Sequence, residues 1–165
     1  MQYTSVDELA AFQWHDAHVV ALDLSSGVLT TVVEDLNVTR INSQNNYPND
    51  MRVGCARARW RLPRVEEILT SGYSQYKDDG TLLRRMTGAR RAASEYDSVL
   101  RSLVEESEAG GLYIMGCGPL EAIAGRQRAW IDFGGVEITF SYERFIAEWD
   151  HFAGSAWYLE RLKRA

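Results

Sequence analysis

Apolar and polar residues change period several times along this chain, and each change marks an element. Residues 5–12 repeat at helical spacing behind Ser5, with Glu8 three positions on in the arrangement of a capping box, and predict a short helix ending near Phe12. Residues 17–24 and 28–38 read as strands, and Ser25-Ser26-Gly27 between them predicts a tight antiparallel hairpin. Residues 40–50 are rich in Asn, carry one Pro and read as a loop. Residues 51–62 predict the next strand. Ala56, Ala58, Trp60 and Leu62 share one face, and Arg57, Arg59 and Arg61 share the other. Gly54 reads as a bulge before that pattern, and Pro63 ends it.

Residues 65–73 fit neither period, and the polar stretch 74–80 breaks the chain. From Thr81, an acceptable N-cap, a helical pattern runs to a stop at Gly110-Gly111. Leu82, Met86, Ala89, Ala93, Tyr96, Leu100 and Leu103 follow alternating spacings of four and three, a heptad seam. Unbroken, this helix is roughly 40 Å long, and Gly88 is the alternative break point. The seam suits packing on the protein's own sheet or, alternatively, a homodimer surface. Arg84, Arg85, Arg90 and Arg91 crowd its first half, and Glu105, Glu106 and Glu108 end it, against the usual dipole preference. Strands return at 112–115, 128–133 and 136–142, with Gly134-Gly135 joining the last two as a hairpin. A final helix is predicted with Phe145, Ile146, Trp149 and Phe152 on its apolar face; Gly154 interrupts it and residues 157–162 resume it.

The expectation is one α+β domain over 1–165, with a helical insertion at about 74–110. An antiparallel sheet of five to seven strands is packed by the long helix and the C-terminal helix, and one sheet face holds Leu22, Leu24, Trp60, Ile138 and Phe140. At 165 residues and 45% hydrophobic, the chain suits a single core without staples. A net charge of −5 argues against a general nucleic-acid binder. The two cysteines, Cys55 and Cys117, form no CxxC spacing and suggest no zinc ribbon, redox motif or cofactor, and nothing supports a disulfide between them. The first residues lack a basic segment followed by an apolar one, and no apolar run approaches membrane length. The expectation is therefore a reduced, cytoplasmic protein.

Candidate chemistry concentrates in Trp14-His15-Asp16-Ala17-His18, between the first predicted helix and strand. Imidazoles and a carboxylate suit a first-row metal, but His15 and His18 on an extended segment point to opposite faces. The plainer reading makes Asp16 a turn cap and His18 a core-edge residue sharing parity with Val20, Leu22 and Leu24. A hydrolytic dyad of Asp16 with His15 or His151, and Cys117 or a serine as nucleophile, lacks a recognisable nucleophile elbow. Arg57, Arg59 and Arg61, about 7 Å apart on one strand face, suit carboxylates or phosphates; the alternative is pairing with acids such as Glu34 or Asp35. Gly116-Cys117-Gly118-Pro119 after a short strand is either an anion loop at a small helix or a plain turn.

Trp14-His15-Asp16-Ala17, followed by two hairpin strands, resembles the start of small bacterial β-rich proteins that carry Phe-His-Asp-Ala there. Their role is unknown or immunity-related, and some accompany polymorphic toxins. Trp14 stands where those have Phe, and the insertion at 74–110 departs from their compactness. The resemblance implies no enzyme activity and no functional residues. Together these features predict a non-enzymatic protein-interaction module, with an immunity-type inhibitor as its specific form. A metal-dependent or hydrolytic enzyme using His15, Asp16 and His18, and a small anion-binding module using the arginine stripe, are the alternatives.

Overall fold

The computed structural model describes residues 1–70, 75–84 and 88–162. Along the chain it forms β1 (Tyr3–Val6), β2 (Phe12–Gln13), β3 (Ala17–Ser25), β4 (Val28–Val38), β5 (Met51–Arg61), β6 (Arg64–Thr70), β7 (Gln75–Tyr76), β8 (Leu82–Arg84) and β9 (Ala89–Arg90). Helix α1 (Tyr96–Glu108) follows, then β10 (Tyr113–Ile114), β11 (Gly116–Ile123), β12 (Arg126–Asp132), β13 (Val136–Tyr142), β14 (Arg144–Trp149), β15 (Phe152–Ser155) and α2 (Trp157–Leu162). The larger sheet has the order β1-β14-β5-β4-β3-β10, with β2 on β4 and β15 on β5; the smaller has the order β11-β12-β13-β6-β9, and β7 pairs with β8. All pairings are antiparallel.

The two sheets face one another across an aromatic core. Trp60 of β5 and Phe140 of β13 meet edge to face at 5.9 Å, and Phe145 of β14 lies 5.1 Å from Trp60. The five residues expected on one sheet face therefore come from two sheets. Leu22 and Trp60 belong to the larger and Ile138 and Phe140 to the smaller, while Leu24, at 45% exposure, lies at the rim. Helix α1 closes one side, packing on β3. Tyr96 donates its hydroxyl hydrogen to the Glu66 carbonyl of β6, and Leu100 reaches the same apolar gap as Leu22 and Phe140. The stripe Tyr96–Leu100–Leu103 thus packs on the chain's own core, with Leu103 buried and Tyr96 and Leu100 partly so.

The hairpins at residues 25–28 and 132–136 form as their turn residues require. Ser26 and Gly27 both take positive φ, as do Gly134 and Gly135, which matches the right-handed twist of the flanking strands. The β3–β4 register slips between Val19 and Ala21. This bulge places Val19 and Leu22 inward and leaves His18 on the outward side, so the parity argument that linked His18 to Leu22 fails at Val20. At Gly54 the β4–β5 register is unbroken; there β5 exchanges one partner strand, β14, for another, β15.

The expected single sheet of five to seven strands is instead two sheets, of eight and five strands, beside a two-stranded hairpin, and several elements are corrected. The Ser5–Glu8 pair exists, with Ser5 donating to Glu8 at 2.6 Å, but residues 3–6 pair with β14 and only Leu9–Ala11 make a 3-10 turn. The helix expected from Thr81 starts only at Tyr96, because Leu82–Arg84 and Ala89–Arg90 pair as strands. The insertion at 74–110 is accordingly mostly non-helical in its first half; Arg85 and Met86 lie outside the described residues, as do 71–74. The expected C-terminal helix over 145–152 is instead β14 and β15. Phe145, Ala147 and Trp149 point inward at period two, and Ile146 on the outer face disguised that period. Gly116-Cys117-Gly118-Pro119 opens strand β11 and leads into no helix. Among the described residues no helix is long and apolar enough to cross a membrane.

Glu8 ties the N-terminal turn to the 40–50 loop, accepting from the Ser43 backbone N–H at 3.0 Å and the Ser43 hydroxyl at 2.8 Å. Partial burial opposes its ionisation, but the hydrogen bonds from Ser5 and Ser43 outweigh that and hold the carboxyl below its ordinary value. A lowered folded pKa contributes stability above the ordinary value of 4.5, lost as pH falls through the folded value. Glu8→Gln is therefore expected to cost about 1 kcal/mol at pH 7. In urea titrations the gap to the parent protein should close below pH 4.5; a gap constant from pH 7 to pH 3 would refute the assignment.

Candidate functional site

The Trp14–Ala17 segment is a tight turn, closed by the Ala17 N–H on the Trp14 carbonyl at 3.0 Å. Trp14 is buried against Phe12, Trp60 and Phe145. Asp16 occupies a left-handed conformation, φ 64°, which Asp tolerates better than most residues. His15 Nδ1 lies 2.9 Å from the Met115 carbonyl, to which it donates, and its ring sits against Tyr76 at 5.3 Å and Trp157 at 6.3 Å. Gly80 presses on it from the β7–β8 turn, where an added Cβ would lie 2.8 Å from the His15 Cβ.

His18 belongs to a different place. Its Nδ1 is 3.4 Å from Glu34 Oε2, its Nε2 is 3.1 Å from the Gly110 carbonyl just past α1, and its ring stacks on Tyr113 at 4.8 Å. The structure therefore joins His15 to Asp16, with Nε2 and Oδ2 3.6 Å apart, and separates both from His18. Among the described residues no group of three or more His, Cys, Asp or Glu is placed to hold a metal ion. Cys55 and Cys117 are free, on different sheets. Burial pushes the Cys117 thiol well up, and burial with the Glu34 charge raises that of Cys55, so neither is a ready thiolate. His151 is exposed in the turn between β14 and β15.

Beside His15 a cleft of about 610 Å³ opens between the β7–β8 hairpin and α2, lined by Tyr76, Lys77, Asp78, Leu83, Tyr158 and Arg161. Both tyrosine hydroxyls bond acids that do not line it. Tyr76 donates to Asp132 at 2.8 Å, and Tyr158 donates to Asp50. Burial, and then the Asp50 carboxylate, push Tyr158 far above its ordinary value. The cleft was invisible to sequence patterning because the hairpin forming one wall reads there as polar linker and helix start.

The arginine stripe does lie on one face, the outward face of the larger sheet. Strand pairing arranges that face in three rows. The first runs Ala21–Val32–Arg57–Glu148–Thr4, the second Asp23–Thr30–Arg59–Ile146–Val6, and the third Ser25–Val28–Arg61–Arg144. Arg59 donates to Glu148 at 2.6 Å. The acid that pairs with the stripe is thus on β14, and neither Glu34 nor Asp35 reaches it; Asp35 pairs with Arg52 instead. Arg57 and Arg61 are exposed, and among the described residues neither forms an ion pair.

If Asp16 is held for its backbone conformation, Asp16→Ala should cost about 1 kcal/mol and Asp16→Gly should cost nothing or stabilise. Denaturation midpoints of the two variants decide this, and equal losses in both would assign the role to the carboxylate.

Compared with known proteins, the chain matches no family model, no curated protein and no solved structure, so its chemistry is argued from its own atoms.

Proposed function

We propose that this chain is a non-enzymatic protein-interaction module whose recognition surface is the outward face of the larger sheet, and that its partner presents an acidic surface. One observation carries the reading: β5 sets Arg57, Arg59 and Arg61 in register on a sheet face where Arg57 and Arg61 stay exposed and unpaired among the described residues. Val32, Ile146 and Val28 lie directly across from Arg57, Arg59 and Arg61 on the neighbouring strands. Arginine set among apolar side chains is the composition that protein interfaces favour. In a chain of net charge −5, such a face attracts acids locally and orients an approaching partner. The immunity-type inhibitor implied by the Trp14-His15-Asp16-Ala17 resemblance is the specific form we carry; a toxin gene beside this one is its direct check. The enzymatic alternative draws less support, because His15 and His18 diverge.

Arg57 is the clean probe of this surface. Arg59→Glu would set two glutamates side by side at Glu148 and lower stability for a reason unrelated to binding. A pull-down from the native organism supplies the partner. Arg57→Gln, which puts no like charge opposite Glu148, should then slow association by about threefold at low salt, with the effect shrinking at high salt. Stability should stay within about 0.5 kcal/mol of the parent. Unchanged association kinetics at low salt would sink the proposal.

A further inference from the structure

We infer that Arg61 and Arg144 together form a two-guanidinium seat for the carboxylates of an acidic, partly apolar protein segment, the anchoring point of the proposed interface. The inference rests on the outward face being the recognition surface, and it names where on that face the partner is held and by what chemistry.

The argument is a gradient along β5. Arg57 stands directly opposite Glu148, and Arg59 bonds that same carboxylate. Moving two residues on, the neutralising acid disappears. Arg61 stands directly opposite Arg144 on β14, and its other cross-strand neighbour is Val28. Directly opposed side chains in an antiparallel pair have their Cβ atoms about 4.5–5.5 Å apart, and like charges at that position destabilise the sheet. Arg144 is relieved on one side only, by Asp7 at 3.5 Å, and keeps 55% of its side chain exposed. The other acid nearby, Glu143, is engaged by Arg126 at 3.5 Å. Two directly opposed arginines, of which only Arg144 has an acid partner among the described residues, form a site that a carboxylate completes, since each can offer parallel N–H donors.

The surroundings favour a protein segment over a free anion. Leu62 follows Arg61 in sequence, is 45% exposed, and lies over the β3–β4 turn, where its Cδ2 is 3.1 Å from the Cβ position of Gly27. Val28, directly across from Arg61 on the same face, adds a second, half-buried apolar side chain. A small anion has no use for that apolar rim, whereas a segment alternating acidic and apolar residues meets both.

The probe is a synthetic capped peptide of alternating Asp and Leu, titrated against the full chain while the arginine Nε–H resonances are followed by NMR. The expected result is saturable shifts at Arg61 and Arg144 that exceed those at Arg57 and Arg59, with binding weakened at least fivefold in Arg61→Gln. Because Arg61 has no ion pair to lose among the described residues, Arg61→Gln should also raise the low-salt denaturation midpoint, which shows that the variant is folded and that the opposed charges repel. Shifts confined to Arg57 and Arg59 would overturn the seat and leave the wider face standing. Shifts at no arginine would overturn both. Inorganic phosphate binding as tightly as the peptide would overturn the assignment to a protein segment.

Discussion

The edge-to-face contact between Trp60 and Phe140 joins the two sheets, and the rest of the molecule is arranged around it. Each sheet must bury one face, so every second residue of the central strands is committed to the core. Trp60, Ala58 and Ala56 on β5 are fully buried, as are Phe145, Ala147 and Trp149 on β14. The small residues beside the large rings let the sheets approach, and aromatic pairs gain from edge-on geometry beyond their area alone. Because side chains alternate along a strand, committing Ala58 and Trp60 inward forces Arg57, Arg59 and Arg61 outward. The charged face is thus a geometric consequence of the core, and a slip of one residue in β5 would bury three arginines.

The same constraint explains which elements were readable in the sequence. Residues 17–24, 28–38, 51–62 and 136–142 form strands close to those limits because one face of each is buried and the period survives. It failed where a large apolar residue faces outward. Ile146 on β14 turned an alternating pattern into a helical one, and Leu82, which is exposed, opened a heptad seam where the structure has a strand. Ser5 and Glu8 do meet, but side chain to side chain and not through the backbone bonds of a capping box, because pairing with β14 takes the backbone into a strand.

Site chemistry was less legible than the fold. The Trp14–His18 cluster lies at a junction, where His18, between inward Ala17 and Val19, faces outward against Glu34 and the end of α1, while His15 stays under the hairpin. Alternation already sets His15 and His18 on opposite sides, but no local pattern supplies what each one meets. The neighbours of His15, namely Met115, Tyr76 and Trp157, are far away in sequence. Likewise, the arginine stripe was visible from parity, whereas the identity of its neutralising acid, Glu148, and the opposition of Arg61 to Arg144 follow only from β14 pairing with β5.

The most direct test of the account is arginine-specific covalent footprinting of the chain alone and in complex with its captured partner, read by mass spectrometry. The account predicts that Arg57 and Arg61 react readily in the free chain and are protected in the complex, while Arg161 beside the cleft reacts equally in both. Protection of Arg161 with Arg57 and Arg61 unchanged would contradict it and move the binding surface to the cleft beside His15.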